Sequence, residues 1–312
     1  MPIKFKKITL PTPYPVGPVH VYYFVINGNR ILFDAGPPTE GAIKTLQNSI
    51  ELTQLDYLFI THFHPDHYGA AHLIEKISPA QIIFSKYDLA IYEIYDQRVS
   101  FFFDYLHQLK VPNQLTLALK KTFSVLKRAI PLPKSFQILE DSQKQIEELG
   151  ISYLQCPGHS QSDIVYLFDE FAITGDTLLR DIFQTPLLDL DFTSMKNRYL
   201  NYENYCSSIP KLKSIAHRRI LTAHNENIRS VNYQIRFYYY KILEKVENLA
   251  PLLEKGTSLF QIMTTLYPHT ESRPFLFYMK LSEFLFLKDY LENPDLLENI
   301  LKKNNIILNI NW

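Results

Sequence analysis

Four residues able to do metal chemistry fall within six positions: His62, His64, Asp66 and His67, inside the stretch DYLFITHFHPDHYG that runs from Asp56 to Gly69. Three imidazoles and a carboxylate are a donor set for zinc, and they also suit manganese or iron. The stretch opens as a buried strand, Tyr57 to Thr61. Apolar strands ordinarily end in turn residues, not in ligands. A strand end followed by a tight loop can aim alternate side chains at one point. His62, His64 and Asp66 share the i, i+2, i+4 parity, and His67 is their direct neighbour. A lone histidine on an apolar strand reads as a satisfied core residue; four donors at this spacing read as a metal site.

HFHPDH, His62 to His67, resembles the HxHxDH signature of the metallo-β-lactamase superfamily, and the resemblance extends over about residues 1 to 230. PGHSQSDIVY resembles the family's second metal motif, with His159 on the ligand position. TGDTLL resembles the third, in which Asp176 bridges two metals, and LTAHNE resembles the last, with His224 as ligand. The common form of that last motif is GHG, from which Ala223 and Asn225 depart. The resemblance implies an α/β fold, an αββα sandwich of two similar halves, holding two divalent cations. Zinc is the first expectation, with manganese or iron as alternatives. In that scheme His62, His64 and His159 hold one ion, Asp66, His67 and His224 hold the other, and Asp176 bridges. Such a pair of ions would ionise a bridging water near neutral pH and polarise the attacked carbonyl or phosphoryl oxygen. Asp66 would orient that water and is the expected catalytic residue. A ligand set without cysteine resembles the glyoxalase II-like thioesterase, lactonase and nuclease branches more than the Cys-liganded lactamases. It also lacks the HxExD form of the flavodiiron branch. Asp34-Ala35-Gly36 resembles a family D-x-G whose aspartate supports the metal loop from behind; taken alone, Asp34 is equally a turn residue. His72, His107 and His217 match no ligand position, and Asp163 is assigned no role.

Around these residues the chain alternates strand and helix signals. Residues 3 to 10 read as an edge strand, and Pro11, Pro13, Pro15 and Pro18 as a stiff loop. VHVYYFVI and RILFDAG flank Asn27-Gly28-Asn29, a hairpin signal. Thr39 to Leu52 reads as a helix capped by Thr39. Residues 86 to 134 carry two long helical patterns separated by Val111-Pro112-Asn113, an insertion expected over the mouth of the site. Its aromatics, Tyr92, Tyr95 and Phe102 among them, read as core of a helical hairpin with a few left to line a pocket. Strand patterns resume over 136 to 155, 163 to 169 and 171 to 179. Residues 1 to 230 therefore form the expected catalytic domain. Residues 231 to 312 form a small helical appendage that loosely resembles a winged helix. Its first helix is expected to end near Pro251, and its last to be followed by a short β piece. The abundant Phe and Leu of this tail imply packing on the main domain or in a homodimer.

Lys plus Arg equals Asp plus Glu, 32 against 32, so no general electrostatic footprint for nucleic acid or membrane is visible. Two cysteines give no disulfide framework, and neither a signal peptide nor a membrane span is legible, which points to a soluble cytoplasmic chain. The expected activity is metal-dependent hydrolysis of a small-molecule thioester, lactone or related ester. A phosphodiesterase or ribonuclease is the alternative, kept open by Lys120, Lys121, Lys127 and Arg128 in the insertion. A metabolite-binding effector with little activity is the third.

Overall fold

The computed structural model describes residues 5–306, apart from the side chains of residues 124–129. Lys127, Arg128 and the expected terminal β piece therefore lie outside the described residues.

The strands and helices in chain order are β1 (Phe5–Leu10), β2 (Val19–Ile26), β3 (Asn29–Phe33), α1 (Glu40–Ser49), β4 (Tyr57–Phe59), α2 (Pro65–Tyr68), α3 (Ala71–Ile74) and β5 (Gln81–Phe84). The insertion supplies α4 (Lys86–Glu93), α5 (Tyr95–Gln108) and α6 (Asn113–Ala129). Then come β6 (Gln137–Ile138), α7 (Gln143–Glu148), β7 (Ser152–Gln155), β8 (Ile164–Phe168), β9 (Phe171–Gly175), α8 (Asn201–Ser214) and β10 (Arg219–Thr222). The C-terminal region is α9 (Val231–Glu254), α10 (Leu259–Leu266), α11 (Pro274–Glu292) and α12 (Pro294–Lys303). The strands form two sheets, ordered β1-β2-β3-β4-β5-β6 and β10-β9-β8-β7.

The two-residue period of a strand explains how the sheets stack. On β8, Ile164, Tyr166 and Phe168 face one cluster while Val165 and Leu167 face another. On β2, Tyr22, Phe24 and Ile26 point into the first of these clusters, and Val19 and Val21 point the other way. The shared cluster lies between the sheets and is rich in aromatics. Phe24 meets Phe168 edge-on at 4.7 Å, and Phe33 stacks on Phe168 at 5.3 Å. A second core covers the outer face of the first sheet beneath α1 to α3. A third covers the outer face of the second sheet and joins α5, α6, α8, α9, α11 and α12. The layering is helix, sheet, sheet, helix, as expected, with a helical C-terminal region.

The expected hairpin forms: Asn27 and Gly28 both take positive φ, 49° and 86°, as a tight primed turn requires. Thr39 caps α1, its hydroxyl accepting from the Ala42 amide at 3.2 Å. Two expectations need correction. The insertion is three helices, because the chain leaves helical geometry at Ile94 (φ −94°, ψ 22°). The first C-terminal helix runs through Pro251 to Glu254. Pro251 sits in the last turn, where its missing N–H removes one bond, and the turn survives.

Candidate metal centre

β4 ends at Phe59, and its continuation delivers His62 and His64 into a loop. His64 precedes α2 with extended backbone, and Pro65 occupies the first helical position, where its fixed φ suits the start of a turn. That turn brings Asp66 and His67 inward, and both are buried. His159 follows β7, Asp176 follows β9 and His224 follows β10. Gly175 is required before Asp176. Its φ is 50°, and a Cβ there would lie 2.7 Å from the Thr61 hydroxyl. Asn225 takes φ 56°, the left-handed region glycine favours, and its amide donates to the Arg180 carbonyl at 3.1 Å.

All seven sequence-predicted residues converge. His62, His64, His159 and Asp176 form one group of facing donor atoms, and Asp66, His67 and His224 form a second. His64 Nδ1 lies 2.9 Å from both His62 Nε2 and His159 Nε2. Asp176 faces both groups: Oδ2 is 3.6 Å from His159 Nε2, while Oδ1 is 3.5 Å from His67 Nε2 and 3.4 Å from His224 Nε2. Asp66 Oδ2 is 3.4 Å from His224 Nε2. His72, His107 and His217 lie outside both groups.

Unpaired atoms test whether the residues suit divalent ions. His67 Nε2, His224 Nε2 and Asp176 Oδ1 are buried with no hydrogen-bond partner among the described residues. Such orphans are costly unless something else binds them. The opposite nitrogens are held. His159 Nδ1–H donates to the Thr185 carbonyl, and His224 Nδ1–H donates to the Pro18 carbonyl, each at 2.8 Å. His67 Nδ1–H donates to Asp34 Oδ2 at 2.8 Å. In the neutral ring these bonds fix the tautomer whose Nε2 lone pair is aimed inward, the arrangement a ligating histidine needs. The donor set fits divalent metal.

Asp34 is the hub behind the site. It is buried in left-handed backbone, and its carboxylate accepts the Thr61 amide at 2.8 Å, the Thr61 hydroxyl at 2.9 Å and His67 Nδ1–H. Thr61 in turn lies 3.0 Å from His62 Nδ1. Of the two readings of Asp34, the supporting one therefore holds. Asp163, which has no role in the sequence reading, accepts the Ser160 amide at 2.7 Å and the Ser160 hydroxyl at 2.6 Å, bracing the loop that carries His159. Neither Thr61 nor Asp163 carries a local signal beyond its place beside a ligand motif.

Charge divides the two groups. Burial, then His67 and His64, push His62 well below the ordinary histidine value, and burial with His159 takes His64 down to about 3. Burial also works against protonating His67, but Asp176, Asp34 and Asp66 outweigh it and raise His67 well above its ordinary value. His224 is raised in the same way, burial being overcome by Asp176 and Asp66. Burial pushes Asp176 up, and His224 and His67 more than offset it, so its carboxyl stays well below the ordinary range. A cation entering the second group must displace protons from His67 and His224, so its affinity rises with pH.

A cavity of about 720 Å³ opens onto His64, Asp66, His159 and Asp176. The insertion contributes Ile91, Tyr92, Tyr95 and Phe123 to its wall, and α11 contributes Phe275, Tyr278 and Met279. Phe102, in contrast, belongs to the outer core, where it meets Tyr278 edge-on at 5.3 Å. No described helix is long and apolar enough to cross a membrane.

The chain belongs to the metallo-β-lactamase superfamily, whose profile matches residues 14–203, and it is a metal-dependent hydrolase of that superfamily. It is 26% identical over 318 residues to the probable metallo-hydrolase YqjP of Bacillus subtilis (strain 168), covering 96% of this chain and 95% of that one. It is also 26% identical over 159 residues to the probable metallo-hydrolase MJ0888 of Methanocaldococcus jannaschii, covering 50% of this chain and 66% of that protein. Its fold is similar to the crystal structure of the metallo-beta-lactamase family protein TTHA1429 from Thermus thermophilus, with a TM-score of 0.69 and 18% identity over 93% of this chain and 94% of that one. A beta-lactamase domain protein from Burkholderia ambifaria shares the fold with a TM-score of 0.68 and 14% identity, over 93% and 87% of the two chains.

Proposed function

We propose that this chain hydrolyses a small-molecule ester, thioester or lactone with an apolar acyl portion, in the manner of the glyoxalase II and lactonase-like branch. The single observation that carries the reading is the cavity, whose wall joins the donor atoms of His64, Asp66, His159 and Asp176 to aromatic and aliphatic side chains of the insertion and of α11. Two divalent ions, zinc first, held by His62, His64, His159 and by Asp66, His67, His224 with Asp176 shared, would supply an ionised water and polarise the scissile carbonyl. The chain's own residues do the rest. The Nδ1 bonds of His67, His159 and His224 hold the imidazoles in the ligating tautomer. Asp66 orients the attacking oxygen. The apolar wall excludes water and places the acyl portion. In this reading residues 231–312 are substrate-shaping, because α11 forms part of that wall.

A phosphodiesterase could use the same donor set. A groove for a nucleic-acid backbone wants several cations along it. Among the described residues Arg98 is the one lysine or arginine lining the cavity, and it is paired with Asp189. Lys120 and Lys121 are exposed and lie outside that lining. The test is a panel of acyl thioesters, lactones and RNA, run on zinc- or manganese-loaded wild type and Asp176→Ala. Acyl hydrolysis lost in the variant is expected. RNA cleavage without acyl hydrolysis would reverse the ranking, and activity on neither would favour an effector.

A further inference from the structure

Arg98 on α5 and Asp189 in the loop between β9 and α8 both line the cavity. Nε and Nη2 of Arg98 donate to the two carboxylate oxygens at 2.8 and 2.7 Å, and Nη1 donates to the Ile91 carbonyl at 3.1 Å. Asp189 Oδ1 also accepts the Leu190 amide at 2.8 Å. A guanidinium has five N–H donors. Three are used here, which leaves two, one on each Nη, with no acceptor among the described residues. The neighbouring phenols point their protons elsewhere: Tyr95 donates to the Phe123 carbonyl at 2.6 Å and Tyr278 to the Leu188 carbonyl at 2.8 Å.

A half-buried ion pair set in a largely apolar cavity wall is a poor stabilising device. Its desolvation cost often matches or exceeds its attraction, and well-packed hydrophobic side chains of similar volume do as well. Stability therefore does not account for a cation in this wall with donors to spare. We infer that Arg98 is a substrate-binding residue. Its two remaining N–H groups receive an acceptor oxygen, a keto carbonyl or a carboxylate, carried on the acyl portion away from the hydrolysed bond. Asp189 fixes the plane of the guanidinium and neutralises its charge, so a neutral carbonyl is accepted as well as an anion. This assignment rests on the acyl-hydrolase reading and deepens it by naming the substrate as an oxygen-substituted acyl compound.

The test separates binding from turnover. Zinc-loaded protein is titrated calorimetrically with decanoate, a series of oxodecanoates differing in keto position, and decanedioate. Hydrogen bonds to a charged donor predict that at least one oxygenated ligand binds roughly ten- to a hundredfold tighter than decanoate. The same preference should be lost in Arg98→Lys, which keeps the charge and loses the fork. It should also be lost in Arg98→Met/Asp189→Asn, which leaves no unpaired carboxylate in the cavity wall. A merely structural pair would not shift this ratio. Decanoate binding with no oxygen preference in wild type, or a preference that survives in either folded variant, overturns the assignment and leaves the acyl reading standing. Binding of none of these ligands overturns both.

Discussion

Asp34→Asn isolates how the fold imposes a protonation state on a ligand. The change is isosteric, and asparagine accepts the left-handed backbone at φ 65°, so geometry is retained. Hydrogen bonding is not. The native carboxylate accepts three donors, the Thr61 amide, the Thr61 hydroxyl and His67 Nδ1–H, at 2.8, 2.9 and 2.8 Å. An amide offers one acceptor and one donor group. If its nitrogen faces His67, the imidazole must move its proton to Nε2, closing the lone pair that would bind metal. If its nitrogen faces Thr61, it opposes the buried Thr61 amide, at a cost of about 1–3 kcal/mol. Either way the second group of donors is impaired. Loss of such an outer partner typically weakens metal binding about ten- to a hundredfold, or about 1.4–2.7 kcal/mol. The assay is competition for zinc against a chromophoric chelator at fixed pH, with wild type and variant matched for fold by circular dichroism. Affinity within about twofold of wild type at every bound ion would refute the tautomer argument.

Because Asp176 faces both groups, Asp176→Ala should weaken both bound ions, while His224→Ala weakens mainly one; stepwise metal titration separates the two outcomes. Gly175→Ala places a side chain at φ 50° and a Cβ 2.7 Å from Thr61 Oγ1, so it should lose about 2 kcal/mol or more of stability, and an unchanged urea midpoint would count against that backbone description. His20 is held down to about 4 by burial and then by Lys7. Its folded value lies below the ordinary 6.5, so its contribution to stability is complete above pH 6.5 and is lost as pH falls toward 4. His20→Gln should remove that part of the acid slope, and an identical slope in both proteins would show that the ring titrates freely.

The donor quartet was legible because its members are nearly consecutive and end an apolar strand. His159, Asp176 and His224 were legible only as motif positions, since their convergence depends on sheet pairing that no local pattern encodes. The paired sheets could be read from strands and turns. α7 could not, because Gln143–Glu148 is one short helix between two β patterns. Pro251 misled because a proline costs least in a final turn. The supporting contacts of Asp34 and the Arg98–Asp189 pair were out of reach for a different reason. The latter joins residues 91 apart, and hydrogen-bond partners at such range leave no trace in composition or periodicity.

The most direct test is metal content. Protein purified without chelator, or reconstituted with zinc or manganese, should hold about two ions per chain by elemental analysis, as two facing donor groups with a shared carboxylate require. A value near one would remove the shared-carboxylate scheme. A firm value near zero, with no uptake of either metal, would contradict the account at its centre.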